Sequence, residues 1–336
     1  MSEETISQVI KKALDFAEGE CTFAFQGGEP TLIGLDFFET VISLEKKYNH
    51  KKLRINNAIQ TNGYRLDRSW FQFFHDNHFL VGLSLDGNKH THNANRVDAK
   101  GEGTFFDIMD TARLLEQYKA DYNILTVVNS STVKKAGKIY EFYRKNHFHY
   151  LQFIPCLDPI GKVQGCEDYS LNAVDYGTFL NELFDLWFED LQRGEQPYIR
   201  QFENYIAILL GQPPESCDQS GTCSYQFVVE SDGEVYPCDF YVLDDYKLGN
   251  LNHSSFEEIQ NKRRDIGFIE YSLTDHEACK TCRYYPVCRG GCRRQREFGT
   301  ADHLPNSFCK AYQIFFDHCL DRMLSIAQVI RNRNQT

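Results

Sequence analysis

The cysteines of this 336-residue chain are concentrated toward its C-terminal end. Eight of the twelve lie between Cys217 and Cys309, and four of those fall within the fourteen residues CKTCRYYPVCRGGC, 279–292. Four thiolates suit either a tetrahedral zinc ion or a [4Fe–4S] cluster, so eight thiols would make two such sites. The single C-x2-C pair, Cys279 and Cys282, does not choose between these metals, although zinc sites usually repeat the pair. The sequence therefore predicts a metal-binding region and leaves the metal open.

Composition limits the classes of function that this chain can have. Its formal net charge of −11 argues against a general nucleic-acid binder, because neutralising phosphates needs a basic surface. No apolar run approaches the roughly 18 residues of a membrane span. The start, MSEETISQVIKKALDFAEGE, resembles neither a secretory nor an organelle signal. Many cysteines without such a signal point to the reducing cytoplasm, where metal ligation is commoner than disulfides.

The first two thirds of the chain alternate between strand and helix patterns. Alternation with short connections predicts a parallel sheet, and right-handed crossovers bring the carboxyl ends of its strands to one face. The turn sequences GGEP, QTNG, SLDG and CLDP each follow a strand, so we expect them to meet on that face. Strands are predicted at 21–25, 53–60, 79–87, 122–128 and 150–155. Helices are predicted at 6–17, 37–47, 70–77, 105–118, 133–144, 176–193 and 309–331.

The fold class that follows is an α/β chain with a partial parallel (β/α)6 barrel and a C-terminal cysteine-rich domain. The series opens on a helix, whereas a barrel of this kind opens on a strand, so the first strand is expected to be missing. After about residue 211 the sequence becomes loop-rich, with a hairpin around Ser231-Asp232-Gly233. We expect a barrel region at 1–205 and a second domain at 206–336.

The C-terminal cysteine pattern resembles the SPASM domain of radical SAM enzymes. The resemblance rests on the spacings Cys223-x9-Gly233-x4-Cys238, then C-x2-C-x5-C-x3-C from Cys279 to Cys292, then Cys309. It implies two auxiliary [4Fe–4S] clusters, each held by four cysteines. One cluster would take Cys217, Cys223, Cys238 and Cys292, and the other would take Cys279, Cys282, Cys288 and Cys309.

Other motifs narrow the resemblance to the anaerobic sulfatase-maturating enzymes, along essentially the whole chain. These motifs are CTFAFQGGEPTL, LQFIPCLDP, QFVVESDGEVYPCDFYVL and CRGGCRR. The resemblance implies S-adenosylmethionine contacts at Gly28, Ser84, Arg96 and Leu157. Without it, Ser84 would be interpreted as a turn cap, Arg96 as a surface ion-pairing residue and Leu157 as core. It also implies that Asp239, which follows the ligand Cys238, is the general base that deprotonates the substrate thiol or hydroxyl.

A third cluster belongs to this chemistry, usually on a C-x3-C-x2-C loop after the first barrel strand. No such motif is present, and no cysteine precedes Cys21. This agrees with the missing strand, and we hypothesise that Met1 is an internal methionine of a longer protein. On this hypothesis the 336-residue chain alone would not generate a radical, and the activity would belong to the complete protein.

The resemblance implies that the complete protein oxidises a cysteine or serine of a sulfatase to Cα-formylglycine through a 5′-deoxyadenosyl radical. The auxiliary clusters could accept the remaining electron. Expected partners are an unfolded or nascent sulfatase segment and an external electron donor such as flavodoxin or ferredoxin. Two alternatives stay open: a related SPASM enzyme that modifies another ribosomal peptide, and a non-catalytic iron–sulfur or zinc scaffold.

Overall fold

The computed structural model describes residues 1–273, 276–297 and 304–333. The helices are α1 Glu3–Phe16, α2 Leu35–Tyr48, α3 Arg68–Asp76, α4 Lys89–Asn93, α5 Phe105–Gln117, α6 Ala136–Lys145, α7 Ala173–Gln192, α8 Arg200–Leu209, α9 Phe256–Asp265, α10 Glu277–Lys280, α11 Tyr285–Cys288 and α12 Cys309–Arg333. The strands are β1 Glu20–Phe25, β2 Arg54–Thr61, β3 Phe79–Ser84, β4 Asp121–Val128, β5 Tyr150–Pro155, β6 Tyr198–Ile199, β7 Val228–Val229, β8 Glu234–Tyr236 and β9 Gly249–Asn250.

The alternation predicted from the sequence is confirmed. β1 to β6 form a six-stranded sheet in sequential order, and the pairs β1–β2, β2–β3, β4–β5 and β5–β6 are parallel. The predicted hairpin is present as the antiparallel pair β7–β8, which β9 extends to a three-stranded sheet. The fold is therefore an α/β parallel sheet with helices, followed by a small antiparallel sheet and the cysteine-rich segment.

The chain folds into two compact units. Unit 1 comprises residues 1–83, 107–122 and 224–271, and unit 2 comprises residues 84–106, 123–223 and the described residues from Ser272 onward. Both units take segments from the barrel region and from the cysteine-rich region. The predicted division into sequential regions 1–205 and 206–336 stays a prediction.

The core of unit 1 joins helix α1 to the small antiparallel sheet. α1 begins after Ser2, whose hydroxyl accepts a hydrogen bond from the backbone N–H of Thr5. The buried apolar side chains at helical spacing on α1 pack with those of α2, β8 and α9. Lys12 also donates to the carbonyl oxygens of Leu251 and Ser254, at 2.5 and 2.9 Å. The buried members of this core are Ile6, Val9, Ile10, Leu14, Val41, Leu44, Val235, Leu248, Leu251, Phe256 and Ile259.

The core of unit 2 forms where the two long helices α7 and α12 pack together. The Phe184 and Phe315 rings meet edge to face at 6.0 Å, and Phe202 from α8 stacks on Phe315 at 5.6 Å. Trp187 is buried, and its indole N–H donates to the carbonyl oxygen of Pro197 at 2.8 Å. Because α12 begins at Cys309, this packing fixes the position of a predicted cluster cysteine.

Candidate functional site

The GGEP turn follows directly after β1 in unit 1. Gly27 and Gly28 have φ angles of +91° and +49°, which side-chain-bearing residues rarely adopt. A Cβ atom built on either glycine would meet no atom within 4 Å. The backbone of this turn therefore faces open space, where a ligand could approach it closely.

Glu29 joins this turn to the end of the neighbouring strand. Its Oε1 accepts hydrogen bonds from the hydroxyls of Thr31 and Thr61, both at 2.7 Å. Its Oε2 accepts from the backbone N–H of Asn62, also at 2.7 Å. Charge-assisted bonds of this kind are stronger than neutral ones, so Glu29 fixes the turn against β2.

Asp239 lies just beyond the hairpin strand β8, in the same unit as the GGEP turn. Its Oδ2 accepts a hydrogen bond from Nε2 of Gln26 at 3.4 Å, and the thiol of Cys238 lies 3.2 Å from its Oδ1. Cys238 is buried, whereas Asp239 is exposed. The carboxylate is therefore held between a predicted cluster ligand and the loop after β1, and a substrate can reach it.

At the end of β3, in unit 2, Asp86 and Arg96 form an ion pair. Arg96 Nε lies 2.6 Å from Asp86 Oδ2, and Arg96 Nη2 lies 3.3 Å from Oδ1. The fully buried His92 lies beside them, and its pKa is lowered to about 4, chiefly by burial. Ser84 ends the same strand. Two of the predicted S-adenosylmethionine contacts thus belong to one short segment.

Leu157, the other predicted contact in unit 2, lines an open cleft after β5. Its walls include the apolar side chains of Leu171 and Phe308. The guanidinium of Arg294 also lines it and donates to the carbonyl oxygen of Asp158. Leu157 therefore lies beside both apolar and polar side chains.

Four predicted cluster cysteines are neighbours within unit 2. Burial, and then the thiols of Cys309, Cys279 and Cys282, raise the pKa of Cys288 to about 12. Burial and the thiols of Cys279 and Cys282 also raise the pKa of Cys309. The sequence separates these residues by up to 30 positions, and helix α12 brings Cys309 to the others.

Three further cysteines form a second group in unit 2. Burial, and then the thiols of Cys217 and Cys223, raise the pKa of Cys292 to about 12. Gly221, between Cys217 and Cys223, allows this loop to approach the next one: a Cβ at Gly221 would lie 2.4 Å from the carbonyl oxygen of Arg289. The glycine therefore permits a contact that a side chain would prevent.

The chemistry of these thiols fits iron–sulfur clusters. None of the twelve cysteines, all within the described residues, forms a disulfide. Among those residues, no three His, Cys, Asp or Glu side chains converge as ligands of a single metal ion. In a [4Fe–4S] cluster each cysteine thiolate binds a different iron, so its ligands need not meet at one atom. Positive iron would also favour the thiolate form that burial opposes.

The predicted site residues fall into two groups, one in each unit. Unit 1 holds Gly28, Cys238 and Asp239; unit 2 holds Ser84, Arg96, Leu157 and the other seven cluster cysteines. Gln26 and Asp86, the side chains bonded to Asp239 and Arg96, were not predicted as site residues from the sequence. Their positions beside GGEP and within SLDG were the available signal.

Among the described residues, no helix is both long and apolar enough to cross a membrane.

Comparison with known proteins shows which proteins this chain is similar to. Residues 217–283 match the SPASM family, an iron–sulfur cluster-binding domain. A cysteine-type anaerobic sulfatase-maturating enzyme of Clostridium novyi (strain NT) is 47% identical over 99% of this chain and 89% of its own length. A serine-type enzyme of Bacteroides thetaiotaomicron is 30% identical, over 99% of this chain and 84% of its own. The solved structure of native anSMEcpe with bound AdoMet and Kp18Cys peptide matches with a TM-score of 0.95 at 45% identity, covering 98% and 91% of the two chains.

The parallel sheet, its strand-end loops and the cysteine-rich domain define a radical SAM oxidoreductase with a SPASM iron–sulfur domain. The match extends over nearly the whole chain and over most of each relative. The chain belongs to the anaerobic sulfatase-maturating enzymes, and its activity is sulfatase maturation.

Proposed function

We propose that this protein is a cysteine-type maturase, which oxidises a cysteine side chain of a sulfatase to Cα-formylglycine. Its identity to the cysteine-type relative from C. novyi is 47%, against 30% to the serine-type relative from B. thetaiotaomicron. The substrate would be an unfolded or nascent sulfatase segment of the form Cys-x-Pro-x-Arg. The solved relative holds a peptide named as a cysteine form, which supports this choice.

The separation of the cysteines into two neighbour groups carries the cofactor assignment. Cys279, Cys282, Cys288 and Cys309 would hold one [4Fe–4S] cluster, and their mutual proximity supports this set. Cys217, Cys223 and Cys292, with Cys238, would hold the other, and the proximity of the first three supports it. Position in the sequence alone would have placed the four cysteines of CKTCRYYPVCRGGC in a single site.

Four residues would bind S-adenosylmethionine. The open backbone at Gly28 suits its amino group, and the guanidinium of Arg96 suits its carboxylate. Ser84 ends the strand beside Arg96, and Leu157 offers an apolar wall to the adenine. When bound at the third cluster, for which this chain has no C-x3-C-x2-C motif, S-adenosylmethionine would supply the radical that takes a hydrogen atom from the substrate Cβ, and the auxiliary clusters would supply a place for the remaining electron.

Asp239 would take the proton of the substrate thiol. A general base must lie within hydrogen-bond reach of the proton that it removes, and the exposed Asp239 carboxylate is accessible to a peptide. Cys238 must lose its thiol proton when it binds iron. Oδ1 of Asp239 then no longer has that thiol as a donor and is available to a proton from the substrate. Gln26 Nε2 holds the other carboxylate oxygen.

The same proposal includes an electron donor, a cellular compartment and a division into two domains. An external electron donor such as flavodoxin or ferredoxin would reduce the enzyme. The twelve cysteines without disulfides suit a reducing cytoplasm. A barrel region at 1–205 and a SPASM region at 206–336 remain the proposed domains.

Two matched peptides test the proposal. The complete protein, reconstituted anaerobically, is incubated with S-adenosylmethionine, a reductant and either a Cys-x-Pro-x-Arg peptide or the same peptide with serine. We expect aldehyde formation at least about tenfold faster on the cysteine peptide. Faster oxidation of the serine peptide would contradict the cysteine type. No aldehyde on either peptide, with clusters and S-adenosylmethionine bound, would contradict the proposed substrate.

A further inference from the structure

The ion pair between Asp86 and Arg96 uses one edge of the planar Arg96 guanidinium group. The guanidinium uses Nε and one N–H of Nη2 for the two carboxylate oxygens, at 2.6 and 3.3 Å. Arginine has five N–H donors in a planar fork, so Nη1 and the second N–H of Nη2 are not used by this pair. In the described part of the chain, the Arg96 side chain makes no other hydrogen bond or ion pair. The outer edge of the fork is therefore ready for a second carboxylate.

The carboxylate of Asp86 is itself held in place. Its side chain is only 4% exposed, against 24% for Arg96. Oδ1 also accepts the backbone N–H of Val127 at 2.9 Å, and the backbone N–H of Asp86 donates to Nδ1 of His92 at 3.3 Å. Nε2 of His92 lies 3.1 Å from the hydroxyl of Thr104. A buried carboxylate with several partners has little freedom to turn, so it sets the orientation of the guanidinium.

Tyr143 fixes the backbone on both sides of Asp86. Its hydroxyl donates to the carbonyl oxygen of Leu85 at 2.6 Å and accepts the backbone N–H of Gly87 at 2.7 Å. Thr126 lies 2.6 Å from the same hydroxyl and also bonds Leu85. Tyr143 is fully buried. The turn that carries Asp86 is therefore rigid, as a positioning element needs to be.

We propose that Asp86 is a positioning residue, which holds Arg96 so that the free edge of its guanidinium binds the carboxylate of S-adenosylmethionine. This inference rests on the proposed contact between Arg96 and S-adenosylmethionine. Asp86 touches Arg96 and not the ligand, so it acts through the arginine. Arginine is suited to this role because its fork can bind two carboxylates at once, whereas a lysine ammonium cannot present two planar edges.

A double-mutant cycle on the complete, reconstituted protein tests the proposal. The variants are Asp86→Asn, Arg96→Gln and the double variant, and the dissociation constant of S-adenosylmethionine is measured by anaerobic calorimetry. Asn keeps an acceptor for Val127 and removes the charge. We expect each single variant to weaken binding about tenfold or more, because a charge-assisted bond is lost or misdirected. The double variant should bind no more than about threefold more weakly than Arg96→Gln alone, since Asp86 acts through Arg96.

Two controls separate positioning from a general loss of structure. Asp190 is another buried aspartate of unit 2, 3% exposed and paired with Arg144 and Arg193. Asp190→Asn should lower the unfolding temperature without changing S-adenosylmethionine binding. The second control is 5′-methylthioadenosine, which keeps the adenosine and lacks the carboxylate. Asp86→Asn should leave its affinity unchanged, whereas a distorted cleft would weaken both ligands.

The results of these binding measurements decide whether Asp86 acts through Arg96. Additive losses, an Asp86→Asn enzyme with normal binding, or equal weakening of 5′-methylthioadenosine would each overturn the proposal. Unchanged binding in Arg96→Gln would overturn it as well, while aldehyde formation by the wild-type enzyme would still support the maturase function. If Asp86→Asn does not fold, Arg96→Lys replaces it. The proposal then expects about tenfold weaker S-adenosylmethionine binding, and normal binding by Lys would refute it.

Discussion

The amide of Gln26 donates a hydrogen bond from Nε2 to Oδ2 of Asp239 across 3.4 Å, although 213 residues separate them in the sequence. Gln26 directly precedes the GGEP turn, and Asp239 directly follows Cys238. The bond therefore joins a predicted ligand-binding turn to the predicted general base within one compact unit. It leaves the other oxygen of the carboxylate to the Cys238 thiol.

Replacing the base should stop turnover while sparing the cofactors. For Asp239→Asn we expect peptide oxidation to fall by about 10²- to 10⁴-fold, the usual contribution of a general base. Iron content and S-adenosylmethionine binding should stay normal, because Asp239 is exposed and is not a ligand. The nearby exposed Asp245 provides a matched control, and Asp245→Asn should retain full activity. Normal oxidation by Asp239→Asn would show that another group removes the proton.

Replacing Gln26, the hydrogen-bond partner of Asp239, should slow peptide oxidation less than replacing Asp239 itself. Gln26→Ala leaves the Asp239 carboxylate in place and deletes one hydrogen bond, so we expect about a three- to tenfold loss of peptide oxidation. Combined with Asp239→Asn, it should add little, because both changes act on one carboxylate. Single-turnover assays of the three variants measure this. Fully additive losses would indicate that Gln26 acts independently of Asp239.

Each neighbour group of cysteines should hold its own cluster. Intact protein should contain about eight auxiliary irons per chain, four for each [4Fe–4S] cluster. Cys288→Ala should lower that number by about four and leave the cluster that includes Cys292. The exposed Cys166 belongs to neither group, and Cys166→Ser should keep all the iron. Loss of both clusters in Cys288→Ala would contradict two separate sites. Zinc without sulfide in the intact protein would contradict iron–sulfur clusters.

Glu45 should make the stability of unit 1 depend on pH. The residue is 4% exposed, and burial raises the pKa of its carboxyl group from 4.5 to about 7. The folded state therefore keeps a proton that the unfolded chain releases, so stability falls as pH rises from about 4.5 to 7. Asn57 donates to Oε2 at 3.1 Å, while Oε1 is buried and has no hydrogen-bond partner within the described residues.

Glu45→Gln mimics the protonated form and tests this prediction. We expect the variant to be more stable than wild type by about 2 kcal/mol at pH 8 and nearly equal at pH 4.5. Glu39→Gln, an exposed change on the same helix, should have no such effect. Urea unfolding at the two pH values measures the difference. An unchanged or lower stability of Glu45→Gln at pH 8 would mean that the carboxylate is not penalised by burial.

The elements were predictable because their patterns are local. The apolar run YLQFIP gave the bounds of β5, and the helical spacing of Ile6, Val9 and Ile10 gave α1 to within a few residues. The cysteine spacing and GGEP were also visible as motifs. The partners of the site residues were not, because they depend on tertiary approach. Nothing near Asp239 in the sequence points to Gln26, and only the folded turn brings Asp86 to Arg96.

Short β-strands and buried polar pairs were missed for a related reason. β6 and β9 have two residues each, too few for any alternation to be recognised. Glu45 lies in a helical pattern whose periodicity does not say which charged residue will be buried. Its environment is set by Asn57 on β2 and by the Cys21 thiol on β1, whose own pKa burial raises to about 11.

Hydrogen transfer from the substrate cysteine is the most direct test of the proposed function. A Cys-x-Pro-x-Arg peptide carrying deuterium at the cysteine Cβ is incubated with the complete, reconstituted protein, S-adenosylmethionine and a reductant under anaerobic conditions. We expect deuterium in the 5′-deoxyadenosine product together with an aldehyde at the cysteine position, both detected by mass spectrometry. An intact peptide, or an aldehyde formed without deuterium transfer to 5′-deoxyadenosine, would contradict it.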